Sequence, residues 1–343
     1  MKKRVLINGL GRIGRAIIRI NLERNIFDLA GANDVNPDNK NIAYLLKYDS
    51  SFGVLKNEIS SNSSEIIIDG KQIKVSHERD ITNVDLSDAD IVIESSGENN
   101  NILQVENMAG KSAVERFIIS NAKSEKAYDV IFGANEGDLE NEDIKIVSAS
   151  SCDAIALAPV YRVLEEHFGI ESGFLTTLHP WVSYQNLLDG PAKSWSLPGD
   201  VYSNYALGRS AMSLIPKSTS AVFALSHVYP KALDKICAFS YRTPTSLVSS
   251  GVFSAVLRKD TSADEVISIF KNEEAKQQWN VFHTTDEPLV SVDYIGNKFS
   301  SIIDTRWIQV VNGNHIEVVY WYDNEWGYAS RIVDILEYLT AKG

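Results

Sequence analysis

Cys152 and His179 are the two residues of this chain whose types and settings could do chemistry together. Cys152 lies in Ser148-Ala149-Ser150-Ser151-Cys152-Asp153-Ala154-Ile155, after the β-branched run Ile144–Val147 that reads as a strand. Ala154, Ile155, Ala156, Leu157, Val160 and Leu164 then mark the apolar face of a helix. At a strand-to-helix junction a cysteine meets unpaired backbone N–H groups and the positive end of the helix dipole. Both favour the thiolate, which is the nucleophilic form. Phe174–Leu178 reads as a further strand that delivers His179 at its end. An imidazole beside a thiol can pair with it and serve as acid or base. Free cysteine is also a common small core residue, and these residues alone leave that alternative open.

A second chemical motif stands near the start. The short strand Val5-Leu6-Ile7 runs through Asn8 into Gly9-Leu10-Gly11-Arg12-Ile13-Gly14, and Ile13, Ala16, Ile17, Ile20 and Arg24 follow at helical spacing. Strand, G-x-G-x-x-G and helix together form the dinucleotide-binding context. Gly9 permits the tight turn, Gly11 lets the backbone approach a diphosphate, and Gly14 allows close helix–strand packing. The helix N-terminus then receives the diphosphate. Leu29–Asn33 forms the next strand and ends at Asp34. A carboxylate there accepts from ribose hydroxyls and repels a 2′-phosphate, which favours NAD over NADP. Two later strands end at Ser95-Ser96-Gly97 and at Ser120, so Ser96, Gly97 and Ser120 are expected in the cofactor groove.

These residues need a scaffold to position them. Ile66–Val75 reads as a hairpin around Asp69-Gly70. Ala89–Gly97, Phe117–Ser120 and Asp129–Gly133 continue a series of buried strands alternating with helical segments. That alternation predicts a doubly wound parallel sheet with ligands at the strands' carboxyl ends. After His179 the periodicity changes. A long stretch rich in Ser, Gly, Pro, Tyr and Trp precedes strand-like runs at Ile236–Phe239, Val252–Leu257, Leu289–Val292 and Ile316–Trp321. Few helices separate them, which predicts a largely antiparallel sheet. Cys237 falls in one of these runs and is expected in core packing.

The fold class expected is therefore α/β, a Rossmann-type doubly wound parallel sheet plus an α+β domain. With 343 residues there is length for two domains, and 44% hydrophobic against 23% charged residues is ordinary for a globular protein. A net charge of −12 argues against nucleic acid or an anionic membrane as partner. Two cysteines do not make a disulfide framework, and the apolar run after Lys2-Lys3-Arg4 is too short for a signal peptide or membrane span. A cytoplasmic location is expected, with no metal.

Together these motifs resemble the glyceraldehyde-3-phosphate dehydrogenase family over essentially the whole chain. Further anchors are Leu46–Ser50, Leu157-Ala158-Pro159, Thr176–His179, Asp189-Gly190-Pro191, Arg242 with Pro244-Thr245, and Trp321–Tyr328. The resemblance implies an NAD-binding domain over 1–151 and 320–343, and a catalytic and oligomerisation domain over 152–319. It implies a homotetramer and a glycolytic reaction on a phosphorylated aldehyde. Cys152 would attack the aldehyde to form a thiohemiacetal, with His179 as acid and base, and inorganic phosphate would resolve the resulting thioester. Asn8, Gly9, Gly11, Arg12, Ile13, Gly14, Asn33, Asp34, Ser96, Gly97, Ser120, Asn324 and Tyr328 would hold the cofactor, Asn324 through the nicotinamide carboxamide. Ser151, Asp153, Arg209, Thr219 and Arg242 would face the substrate.

The anion contacts depart from the family. Its usual Ser-Cys-Thr-Thr-Asn is here Ser151-Cys152-Asp153-Ala154-Ile155. A carboxylate at Asp153 repels phosphate and raises the thiol pKa unless a cation compensates. Val182 and Tyr184 replace two phosphate-holding threonines, Asn186 stands where lysine is common, and Ser220 follows Thr219 where glycine is usual. The loop 189–216 is longer than in the ordinary enzymes, and Arg209 is its candidate arginine. The leading reading is a phosphorylating enzyme of D-glyceraldehyde 3-phosphate. A second resembles erythrose-4-phosphate dehydrogenase, or acts on another aldehyde, with water resolving the thioester; Asp153 and Val182 favour it. A third is a catalytically weak NAD-binding paralogue, which the presence of Cys152, His179 and Asn324 opposes.

Overall fold

The computed structural model describes residues 2–122, 124–183, 185–191, 206 and 208–342. Its contacts divide the chain into two units, Met1–Ser151 with Tyr328–Gly343, and Cys152–Gly327.

The first unit carries a nine-stranded sheet. From one edge its strands are Tyr128–Asp129, Ile146–Ser148, Arg116–Ile119, Ile91–Glu94, Arg4–Asn8, Asp28–Asn33, Lys71–Ser76, Glu65–Ile68 and Ile59–Ser61. The central strands pair parallel, and only the last two pairings are antiparallel. Val5, Ile7, Val92, Ile93, Phe117 and Ile118 are fully buried. Such unbroken apolar runs are what a parallel sheet covered on both faces requires. Asp69 and Gly70 both take positive φ, as a two-residue hairpin turn demands. The strand order reverses beside Arg4–Asn8, and that is where this architecture opens a ligand crevice.

The second unit carries a seven-stranded sheet in the order Ile215–Lys217, Ile236–Thr243, Ile170–Pro180, Ser249–Leu257, His315–Tyr322, Ser301–Val311, Phe282–Thr285. Four of its six pairings are antiparallel. The helix Cys152–His167 packs on this sheet, and its residues from Asp153 to Tyr161 are buried without a break.

Three sequence expectations need correction. Cys237, expected in core packing, is exposed, because it lies on the outward face of the strand Ile236–Thr243. His315–Tyr322 is an inner strand between Ser249–Leu257 and Ser301–Val311, so residues 320–327 belong to the second unit and the return to the first comes at Tyr328, not at 320. Leu289–Val292 is no strand. Ser291–Tyr294 forms a 3₁₀ turn with Val290 and Val292 largely exposed, because no neighbouring strand offers a ladder there. The strand at Ser301–Val311 was not apparent from the sequence.

Candidate active site

At the carboxyl ends of the first sheet, Asn33, Asn8, Glu94 and Ile119 stand in register across four neighbouring strands. Their side chains are tied together. Asn33 Nδ2 donates to Asn8 Oδ1 at 2.7 Å, Asn8 Nδ2 donates to the Glu94 carboxylate, and Ser96 N donates to Glu94 Oε1 at 2.8 Å. Burial pushes the Glu94 carboxyl above its usual range despite those donors. Ser120 N donates to the Glu94 carbonyl at 3.0 Å.

The glycine motif has a specific reason at each position. Gly9 has φ +98°, and a Cβ there would lie 2.5 Å from the Ser96 backbone. A Cβ on Gly14 would lie 2.1 Å from the Gly9 carbonyl oxygen. Gly11 meets nothing within 4 Å, so its flank is open space that a side chain would fill, as close approach of a diphosphate requires. Asp34 Oδ2 accepts from Leu10 N at 2.7 Å, which sets the carboxylate beside this turn. Arg12 pairs with Asp49 and lies 5.2 Å over the Phe52 ring, while Ile13 is half-buried and Gly97 takes φ +76°. The cradle fits a dinucleotide.

In the second unit, register fixes a face. His179 pairs with Arg242, and Arg242 pairs in turn with Ile215. Alternate residues of a strand share a face, so Lys217 points the same way as Ile215, Arg242 and His179. On the other side Thr177 pairs with Gly251 and Gly251 with Tyr320, which brings Tyr320 and Tyr322 to that face as well. A Cβ on Gly251 would lie 2.2 Å from the Tyr320 ring, so the glycine makes room for it.

The first turn of the helix Cys152–His167 meets this face. Cys152 Sγ lies 3.6 Å from His179 Nε2 and 3.5 Å from Asp153 Oδ1. His179 Nδ1 faces the Pro180 carbonyl at 2.8 Å. Only a donor can occupy that position, so Nδ1 carries the proton and Nε2 turns its lone pair to the thiol. Tyr322 OH donates to Asp153 Oδ1 at 2.7 Å and Thr219 Oγ1 donates to Asp153 Oδ2 at 2.9 Å.

The electrostatics correct one expectation. Burial, and then the Asp153 charge, raise the Cys152 thiol well above its usual value, against the pull of Arg242. Both effects oppose the pull of the helix start toward the thiolate and favour the thiol at rest. Burial works against the Asp153 carboxylate, but His179, Tyr322, Thr219 and Lys217 hold its pKa below the usual range. Burial and Arg242 lower His179 to about 4, leaving a neutral base. Burial and Arg242 also lower Lys217, to about 8, with Asp153 and Cys152 opposing.

Of the residues expected at the substrate, Asp153, Thr219 and Arg242 come together here, and Ser151 directly precedes Cys152. Arg209 is committed elsewhere, its Nε donating to Asp189 at 2.9 Å with the side chain 68% exposed. Tyr184 and most of 192–207 lie outside the described residues. Asn324 is buried, and its Oδ1 accepts from Val248 N at 3.1 Å, where Val248 holds φ +69°. Tyr328 OH donates to the Ser150 carbonyl at 3.2 Å. Lys217, Tyr320 and Tyr322 were missed. Lys217 left one signal, a basic residue in a short apolar strand two positions before Thr219.

A dinucleotide cradle on a parallel sheet, with a helix-borne cysteine facing a histidine of a second sheet, is the equipment of an NAD-dependent dehydrogenase. Residues 3–102 match the family model of the glyceraldehyde 3-phosphate dehydrogenase NAD binding domain, and residues 151–324 match that of the C-terminal domain. The chain is 37% identical over 339 residues to glyceraldehyde-3-phosphate dehydrogenase 1 of Bacillus cereus, covering 98% of each chain. It is 35% identical over 347 residues to the glyceraldehyde-3-phosphate dehydrogenase of Geobacillus stearothermophilus, covering 100% of each. It is also 35% identical over 342 residues to glyceraldehyde-3-phosphate dehydrogenase 3 of Saccharomyces cerevisiae, covering 98% of this chain and 99% of the relative. The chain belongs to the glyceraldehyde-3-phosphate dehydrogenase family, and its cofactor is NAD.

Proposed function

We propose that the enzyme oxidises D-glyceraldehyde 3-phosphate, with inorganic phosphate, to 1,3-bisphosphoglycerate. The observation that carries this reading is the pair of cations, Arg242 and Lys217, on the same sheet face as His179. Asp153 on its own disfavours a phosphate, and Lys217 is the compensating cation that the sequence left unnamed. Arg242 adds a planar fork suited to phosphate oxygens.

Neutral His179 takes the thiol proton through Nε2 as Cys152 Sγ attacks the aldehyde carbon. It returns that proton to the new oxyanion, giving the thiohemiacetal. NAD⁺, when bound, supplies the hydride acceptor. His179 takes the hydroxyl proton as the thioester forms, and phosphate then attacks the carbonyl carbon and releases the Cys152 sulfur. An imidazole in this role contributes roughly 10²–10⁴-fold. Asn324, whose Oδ1 accepts from Val248 N, would hold the nicotinamide carboxamide through its NH₂.

A second reading, in which water resolves the thioester of erythrose 4-phosphate or another aldehyde, rests on Asp153 and on Val182, which offers no side-chain hydrogen bond. Steady-state NADH formation with glyceraldehyde 3-phosphate, with and without inorganic phosphate, separates the two. Phosphate-dependent turnover supports the first reading, and phosphate-independent turnover supports the second. NAD binding without turnover on any phosphorylated aldehyde moves the chain to a non-catalytic role.

We also infer a cytoplasmic homotetramer. Both cysteines are free, and among the described residues no helix is long and apolar enough to cross a membrane. On the sheet face opposite His179, Phe174, Leu178, Phe239 and Cys237 are exposed, an apolar surface that a second copy would cover.

A further inference from the structure

The first sheet carries a second cavity, at the opposite end from the glycine turn. Ile146–Ser148, Arg116–Ile119, Ile91–Glu94 and Arg4–Asn8 are neighbours in that sheet, and the cofactor cradle lies at their carboxyl ends. At their amino ends Lys3, Ile91, Arg116 and Lys145 line a cavity of about 520 Å³. Small-molecule sites run from about 300 to about 1,000 Å³, so this one has the size of a ligand site. Ile91, Leu139 and Leu339 give it an apolar wall, with Ile91 and Leu139 buried.

Arg116 is the group that asks for a ligand. It is only 9% exposed. Its Nη2 donates to the Asn141 carbonyl at 3.0 Å, while Nη1 is buried and has no acceptor among the described residues. Buried polar groups are ordinarily hydrogen-bonded and buried charges paired. Burial lowers the Arg116 pKa from its usual value, and the charges of Glu142 and Glu115 oppose that shift. Two of the carboxylates on the lining already have partners. Lys3 Nζ lies 2.6 Å from Glu115, and Tyr338 OH donates to Glu140 Oε1 at 3.1 Å. Lys145 adds an exposed ammonium to the same lining.

A guanidinium fork suits a carboxylate, which takes two parallel hydrogen bonds. A polyanion would meet Glu115, Glu140 and Glu142 as like charges, whereas a single negative charge is matched by Arg116 and Lys145. We propose that this cavity binds a small monocarboxylate with an apolar tail. Its carboxylate gives Arg116 Nη1 an acceptor, and its tail lies on Ile91, Leu139 and Leu339. Every residue of the site belongs to the first unit, and none is among those assigned to the cofactor or the aldehyde. The inference is therefore independent of the reaction proposed above.

The probe is hexanoate, titrated by calorimetry into the full-length, NAD-saturated enzyme so that the cofactor cradle is filled. One hexanoate per chain is expected, with hexanamide, which has the same tail and no charge, binding about tenfold more weakly or worse. Arg116→Gln removes the fork and Leu339→Trp fills the cavity. Each variant, shown to be folded by circular dichroism and by unchanged NADH formation, should bind hexanoate about tenfold more weakly or worse. The hexanamide comparison needs no variant and so stands whether or not either substitution is tolerated. Absence of binding, hexanamide binding as tightly as hexanoate, or unchanged affinity in a folded variant overturns the proposal.

Discussion

At the scale of single residues, Asp153 reinforces burial in setting the resting state of Cys152. Its charge adds to burial in keeping the sulfur protonated, so labelling by iodoacetamide should keep accelerating as pH rises beyond 9. Asp153→Thr removes the charge. Its labelling rate at pH 7.5 should exceed the parent's by about tenfold or more, since each unit of thiol pKa is worth about 1.4 kcal/mol. An equal rate in a folded variant would show that burial alone sets the thiol. Tyr322→Phe deletes a hydrogen bond to a buried carboxylate and should cost about 2 kcal/mol in urea unfolding. Cys152 and His179 were legible in the sequence from the strands that deliver them, while Asp153, Thr219 and Arg242 were named only by the family resemblance. Lys217, Tyr320 and Tyr322 were not legible at all. Which way a strand residue points depends on its register with neighbours far away in the chain, and no local pattern states that register.

At the scale of elements, the candidate site is built on paired strands, and one glycine carries their closest approach. Gly251→Ala places a methyl group where the Tyr320 ring lies and should destabilise the enzyme by about 1–3 kcal/mol, read as a lower urea midpoint with unchanged slope. A loss below a few tenths would mean that the ring has somewhere to go. The parallel sheet was readable from its unbroken apolar strands, and the helix Arg12–Arg24 from its periodicity. The second sheet was read only in part. Leu289–Val292 has strand composition but no strand to pair with, while the polar and charged residues within Ser301–Val311 hid a strand that its neighbours on both sides enforce.

At the scale of the whole molecule, the buried imidazole links folding to pH. His179 titrates near 6.5 when unfolded and about 4 when folded, so between those values the unfolded chain binds more protons. Stability is fully present above pH 6.5 and is lost as pH falls toward 4. Urea midpoints measured from pH 7.5 to 4.5 should drop on acidification, and His179→Gln should flatten that dependence. A parallel drop in parent and variant would assign acid sensitivity to other groups.

The protonated sulfur has a consequence for how this enzyme meets oxidants. Peroxide attacks thiolates, and the first product, a sulfenic acid, opens the way to irreversible over-oxidation. A nucleophile that rests as a half-buried thiol and ionises only when His179 accepts its proton spends little time in the vulnerable form. Under oxidative stress this chain should keep its activity longer than relatives whose cysteine rests ionised, and it gives up some reactivity at neutral pH in exchange.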